Sequence, residues 1–310
     1  MRAEPIDVTA HPVRFFSRAQ PDRTEFGPLT FRGGLVLSSK AKPFGGFSGL
    51  RVRADGRFVA LSDRAHWLTG EIAYDGDAPS AIRDAEIFPV LGNSGRPLAG
   101  TRLGDTEGLE IDGSTAYVGI EGAHQVVSFD VSKGFEHARA APVRGAKDFA
   151  TLPGNEGLEA LGIVPAGPEK GTLLVVSEAG LDAEGNHKAW LLGGRTGRPV
   201  RALSVKRRDD FAITDLDFLP GGDLVLLERR YRPPLGLHMR LRRVPAGTIA
   251  AGAVLDGEIL IEASLNDEID NMEGLSIHRA DNGDAVLTLI SDNNFSGWQR
   301  TVLLQFGMGE

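Results

Sequence analysis

Cysteine is absent from the 310 residues, which excludes disulfides, thiolate nucleophiles, zinc–thiolate sites and iron–sulfur clusters together. Long apolar runs are missing as well. Blocks such as residues 172–177 and 285–290 fall far short of the roughly 20 residues of a membrane-spanning helix. The start, Met1-Arg-Ala-Glu-Pro5, has no apolar h-region, so neither a span nor an export signal is expected. Positive charge is the minority: 34 Lys plus Arg stand against 42 Asp plus Glu, for a net charge of −8. Without a basic block to release counterions, nucleic acid is not expected as a partner. An anionic substrate would need local Arg or Lys clusters, or metal ions, to offset repulsion. Uninterrupted helix formers are also scarce, because 40 Gly and 17 Pro punctuate the chain and argue against a bundle or coiled coil.

What the chain does contain is a repeat. Five segments share a short motif, an apolar strand, a Gly turn, a second strand and an acid at its end. They begin at Phe47-Ser-Gly-Leu-Arg-Val, Thr106-Glu-Gly-Leu-Glu-Ile, Asn155-Glu-Gly-Leu-Glu-Ala-Leu, Thr214-Asp-Leu-Asp-Phe-Leu and Met272-Glu-Gly-Leu-Ser-Ile. The motif residues Ser48, Glu107, Glu156, Asp215 and Glu273 are separated by 59, 49, 59 and 58 positions. The strand-end acids Asp63, Glu121, Glu178, Glu228 and Asp292 are separated by 58, 57, 50 and 64. Asp-Gly, Gly-Gly and Asn-Gly pairs between the strands tolerate the positive φ of tight hairpins. Two weaker strands follow each pair, for example 67–74 and 82–90. Four antiparallel strands per repeat of this length predict an all-β propeller of five blades in a single domain, residues 1–310. The last blade is one strand short after residues 300–306, and residues 29–37 can close the ring, with 1–28 as an irregular strap. A six-bladed ring would require residues 1–47 to hold most of another blade.

In such a blade the start of the innermost strand and the end of the next lie at the same mouth of the central channel. This geometry gathers Glu107, Glu156, Glu273, Asp292, Asp63, Glu121, Glu178, Asp215 and Glu228 around one opening. So many carboxylates cannot all stay ionised without a counter-charge. Oxygen ligands without Cys or paired His select Ca²⁺, with Mg²⁺ second. Bases follow the acids: Arg64 after Asp63, Lys188 beyond Glu178, and Arg229 and Arg230 after Glu228. These four are the candidates to hold an anionic substrate. The unremarkable alternative is that acids cap strand ends and each Arg pairs with its neighbour. Trp67, Trp190 and Trp298 read as blade packing. No nucleophile elbow, P-loop or dinucleotide fingerprint appears in context.

The segments Asp270-Asn-Met-Glu-Gly-Leu275, Leu289-Ile-Ser-Asp-Asn-Asn-Phe295, Gln299-Arg-Thr-Val-Leu-Leu-Gln-Phe306, Asn155-Glu-Gly-Leu-Glu159 and Phe47-Ser-Gly-Leu50 resemble the bacterial phytase-like family, described by the esterase-like activity of phytase. The resemblance runs from about Gly33 to Phe306. It implies a propeller, periplasmic or secreted, with esterase or phosphoesterase activity, and supplies no catalytic set to carry over. The expected function is a calcium-dependent hydrolase of a phosphoester acting on a small anionic or ester substrate. The alternatives are a carboxylic-ester or lactone hydrolase with one metal, and a non-catalytic binding propeller with a structural ion.

Overall fold

In a computed structural model of the chain, residues 3–143, 149, 152, 157–193, 198–234 and 236–309 are described. Five sheets succeed one another along the chain. Taken from the axis outward, blade one is Phe47–Val52, Arg57–Ser62, His66–Asp75 and Ala78–Pro89. Blade two is Thr106–Asp112, Thr115–Ile120, Gln125–Asp130 and Ala140–Pro142. Blade three is Leu158–Ile163, Leu173–Leu181, His187–Gly193 and Arg198–Val205, and blade four is Ala212–Phe218, Leu224–Arg232, Gly236–Val244 and Glu258–Ser264. Blade five is Asn271–Arg279, Ala285–Asp292 and Thr301–Met308, and its fourth strand is Leu29–Ser38 from the opposite end of the chain. That strand pairs antiparallel with Thr301–Met308 from Leu37 opposite Thr301 to Thr30 opposite Gly307. Five blades and N-terminal closure are therefore both observed. No helix is long and apolar enough to cross a membrane among the described residues.

The strap differs from the irregular segment expected for 1–28. Glu4–Pro5 adds to the edge of blade one, while Thr9–Val13 and Glu25–Phe26 both pair with Leu29–Ser38. Pairing removes open backbone edges that would otherwise invite other strands. It also ties blade one to blade five across the closure.

Continuous apolar strands follow from the packing, because each blade buries both faces against its neighbours. In blade three Leu173 and Val175 enter the core shared with blade two, whereas Leu174 and Val176 enter the core shared with blade four. Five such cores, one at each interface, hold the ring. At the glycines of the repeat the inner strands meet so closely that a side chain is excluded. A Cβ on Gly108 would overlap the carbonyl oxygen of Glu159 in blade three, and one on Gly49 would come 2.7 Å from Leu109 Cβ in blade two. The Gly of the repeat is thus a contact between blades rather than a turn residue.

Halfway down the axis, Arg51 of blade one closes the channel. Its guanidinium donates to the carbonyls of Leu50, Leu161, Leu216 and Leu275, at 2.6, 2.8, 3.3 and 2.9 Å, and to Glu110 Oε2 at 2.9 Å. These acceptors come from all five blades. Asp215 completes the group: its Oδ2 lies 3.4 Å from Arg51 Nη1 and accepts the Leu275 amide, and its Oδ1 accepts the Leu216 amide. Asp217 likewise accepts the amides of Phe218 and Ile277. The two aspartates satisfy inner-edge N–H groups that have no strand partner on the axis.

Candidate functional site at the acidic mouth

Each inner strand enters the ring at the mouth through a shift in register. In blade one Phe47 pairs with Ser62 and Gly49 with Leu61, so Ser48 is bulged out. The same shift bulges Glu159 in blade three, Thr214 in blade four and Glu273 in blade five, and Glu107 occupies the corresponding place in blade two. Bulges of this kind re-aim a side chain. The inner ring of the mouth is therefore Ser48, Glu107, Glu159, Thr214 and Glu273.

This register corrects two readings of the repeat. In blade three the structural counterpart of Glu107 and Glu273 is Glu159, not Glu156, which lies outside the described residues. In blade four the counterpart is Thr214, because Asp215 stands one position further in and is held by Arg51 and two amides. Thr214 Oγ1 instead donates to the Met272 carbonyl at 3.2 Å, linking blades four and five.

The second ring is formed on the outgoing strand by the residue that follows the partner of the residue just before each bulge. These partners are Ser62, Ile120, Ser177, Glu228 and Ser291, so the ring is Asp63, Glu121, Glu178, Arg229 and Asp292. Blade four thus supplies a cation where the other four supply acids. Glu228 turns the other way, fully buried and paired with the equally buried Arg242. Neither Asp215 nor Glu228 joins the acids of the mouth. Asp105, which the repeat did not mark, does.

Arg229 holds one side of the mouth together. It donates to Glu178 Oε1 at 2.9 Å and to Asn271 Oδ1 at 2.7 Å, and lies 3.4 Å from Glu273. Asn271 in turn donates to Glu273 Oε1 at 2.6 Å. Beyond Glu178, on the side of blades one and two, no guanidinium reaches in among the described residues. Arg64 is exposed at the edge, 3.6 Å over the Phe295 ring, close enough to Asp63 and Asp292 to favour their charged forms. Arg230 leaves the mouth: it stacks on Phe211 and donates to the Asp209 carbonyl. Lys188 is half-buried on the third strand of blade three, outside both rings. Trp67 and Trp190 pack between blades as expected. Trp298 does not, since it is 95% exposed in the segment after Asp292.

Among the described residues, eight carboxylates, Asp63, Asp105, Glu107, Glu121, Glu159, Glu178, Glu273 and Asp292, thus face the guanidiniums of Arg64 and Arg229. Burial, reinforced by like charge, pushes the acids up. Burial and then Asp292 raise Asp63 to about 6. Burial and then Asp105 and Glu178 raise Glu121 to about 7. Glu273 rises to about 7 through burial, against the pull of Arg229. Glu107 and Glu159 are driven well above the usual range by burial first and neighbouring glutamates second. Two groups stand close enough to share an ion: Asp105, Glu107 and Glu121, and Glu121, Glu159 and Glu178, with one oxygen from each residue within 4.8 Å of the others. This all-oxygen donor set suits a hard divalent cation.

A pH dependence follows for protein kept in chelator. Asp63, Glu121 and Glu273 hold protons in the fold at pH values where the unfolded chain has released them. Their contribution is present below the ordinary carboxylate range and is lost as pH rises through about 6 to 7. The thermal midpoint should be lower at about pH 8 than at about pH 5. Calcium should flatten the difference, and an unchanged slope on adding calcium would show that these acids do not meet the ion.

A family model described as "Phytase-like: Esterase-like activity of phytase" matches residues 42–295. No curated protein matches the chain. Among solved structures, the PQQ-bound aldose sugar dehydrogenase of Streptomyces coelicolor is 13% identical, with 93% of this chain and 99% of that one covered and a TM-score of 0.49. A glutaminyl cyclase from Myxococcus xanthus is 13% identical over 99% and 100% of the two chains, with a TM-score of 0.45. A gluconolactonase from Xanthomonas campestris is 11% identical over 99% and 98%, with a TM-score of 0.42.

Proposed function

The chain belongs to the phytase-like family, and on that premise we propose that its acidic mouth is the active site of an ester hydrolase working with a divalent cation, Ca²⁺ before Mg²⁺. The observation that carries this reading is the surplus, among the described residues, of eight carboxylates over two guanidiniums at one opening of the channel. Asp105, Glu107 and Glu121 would hold the cation. Bound there, Ca²⁺ would polarise the ester oxygen and lower the pKa of an attacking water. Glu273, poised near neutrality, is suited to take the proton of that water on a carboxylate oxygen. Asn271 and Arg229 position it, through the 2.6 Å hydrogen bond and the 3.4 Å ion pair. Arg64, exposed at the rim, is the group free to meet an anionic substrate as it arrives.

A phosphoester is the leading substrate because the cation and Arg64 together would accept its charge. A carboxylic ester or lactone is the second reading, favoured by one observation: Arg229 is engaged by Glu178 and Glu273, and Arg230 is turned onto Phe211. Periplasmic or extracellular location belongs to the same proposal.

The test is turnover of generic phosphate and carboxylate esters with calcium and with chelator. Hydrolysis of one class, abolished by chelator and lowered at least about tenfold by Glu107→Gln, is expected. Turnover that survives chelator would overturn the metal-dependent reading. Absence of turnover for both classes in calcium would leave the binding propeller.

A further inference from the structure

We propose that the mouth binds two divalent cations, bridged by Glu121. This inference rests on the metal-dependent reading above and concerns the same opening. The two groups of three carboxylates are distinct except for Glu121, which belongs to both. One lies toward blade one, with Asp105 and Glu107. The other lies toward blade four, with Glu159 and Glu178. A carboxylate has two oxygens, so a residue shared by two such groups can give one to each ion, as bridging ligands do in two-metal hydrolytic sites.

Glu159 supplies the independent observation. It is 7% exposed, it reaches into the second group, and among the described residues no hydrogen bond or ion pair meets its carboxylate. A buried carboxylate without a donor is costly. Arg229 acts on it only through its field, since the hydrogen bonds and ion pairs of its guanidinium go to Glu178, Asn271 and Glu273. A cation in the first group alone would leave Glu159 as it stands.

Charge points in the same direction. Among the described residues and with every acid ionised, one divalent cation leaves four unbalanced negative charges and a second halves that excess. Asymmetry explains where the ions go. Arg229 takes the acid's place in blade four and holds Glu178 and Glu273, so the ions are left to the carboxylates from Asp105 round to Glu159, with Glu178 shared between Arg229 and the second ion.

The experiment uses the whole chain, stripped with chelator and titrated with Ca²⁺ alone, followed by calorimetry and native mass spectrometry. Two Ca²⁺ per chain are expected. Glu107→Gln and Glu159→Gln should each retain one, and Glu121→Gln should weaken both by at least about tenfold. Each Gln variant keeps side-chain shape and removes one repelling charge, and its melting curve in chelator should match or exceed the parent's. A single Ca²⁺ in the parent chain, or two Ca²⁺ retained by Glu159→Gln, overturns the pair. Ester turnover with one Ca²⁺ bound removes the pair and leaves the enzyme. Two Ca²⁺ without turnover removes the enzyme and leaves the pair, while no Ca²⁺ at all removes both.

Discussion

Arg51→Met should destabilise the protein by about 3–5 kcal/mol, the range found when one partner is removed from a buried ionic group. Four leucine carbonyls and Glu110 would lose their donor at once. Glu110 would suffer most, because its Oε2 accepts from Arg51 in a place only 8% exposed. Asp215 and Asp217 keep their amide donors and should tolerate the loss better. Adding Glu110→Gln to Arg51→Met should therefore recover part of the stability, since it removes the stranded charge. Denaturant titration measures both. A loss below about 1 kcal/mol for Arg51→Met would mean that the axis is held by the interblade cores alone.

Deleting residues 1–40 should abolish cooperative folding. The deletion removes Leu29, Phe31, Leu35 and Leu37, all buried on Leu29–Ser38, and their burial stabilises the ring by roughly 6–12 kcal/mol. That is comparable to the whole stability of an ordinary domain, about 5–15 kcal/mol. The strand Thr301–Met308 would also be left with an unpaired edge. A synthetic peptide of residues 1–40 should restore cooperative melting when added back. If the truncated chain melts like the full one, closure by this strand contributes nothing.

The blade count and the closing strand were legible because they rest on local signals: paired apolar runs, Gly turns between them, and one strand missing at the end. Residue placement at the mouth was not. Asn155-Glu-Gly-Leu resembled the Thr106-Glu-Gly-Leu and Met272-Glu-Gly-Leu segments, yet blade three enters the ring three residues later, at Leu158-Glu-Ala-Leu. The spacing of 19 residues to the strand-end acid, shared by Glu159 with Glu178 and Glu273 with Asp292, carried the correct register. In blade four the acid Glu228 masked the substitution of Arg229. The signal there was the Ser preceding Asp63, Glu178 and Asp292, whose position Glu228 occupies. Asp105 and Arg51 had no local signature, since their partners are brought in only when the ring closes. Arg51 and Leu275 are 224 positions apart.

The arginine across the axis also decides how material can move. Below it, at the opposite end, lies a cavity of about 960 Å³ bordered by Arg51, Glu110, Asp217, Phe58 and Phe135. With the guanidinium bound to every blade, this lower chamber and the acidic mouth are separate rooms. The mouth is a blind well, not a tunnel. Whatever reaches its carboxylates must back out through the entrance it used, so a polymer cannot be threaded through and only a group projecting from its carrier can be presented. On the proposed reading of the mouth as an active site, product would have to clear the opening before the next substrate enters, and the two would compete for one entrance.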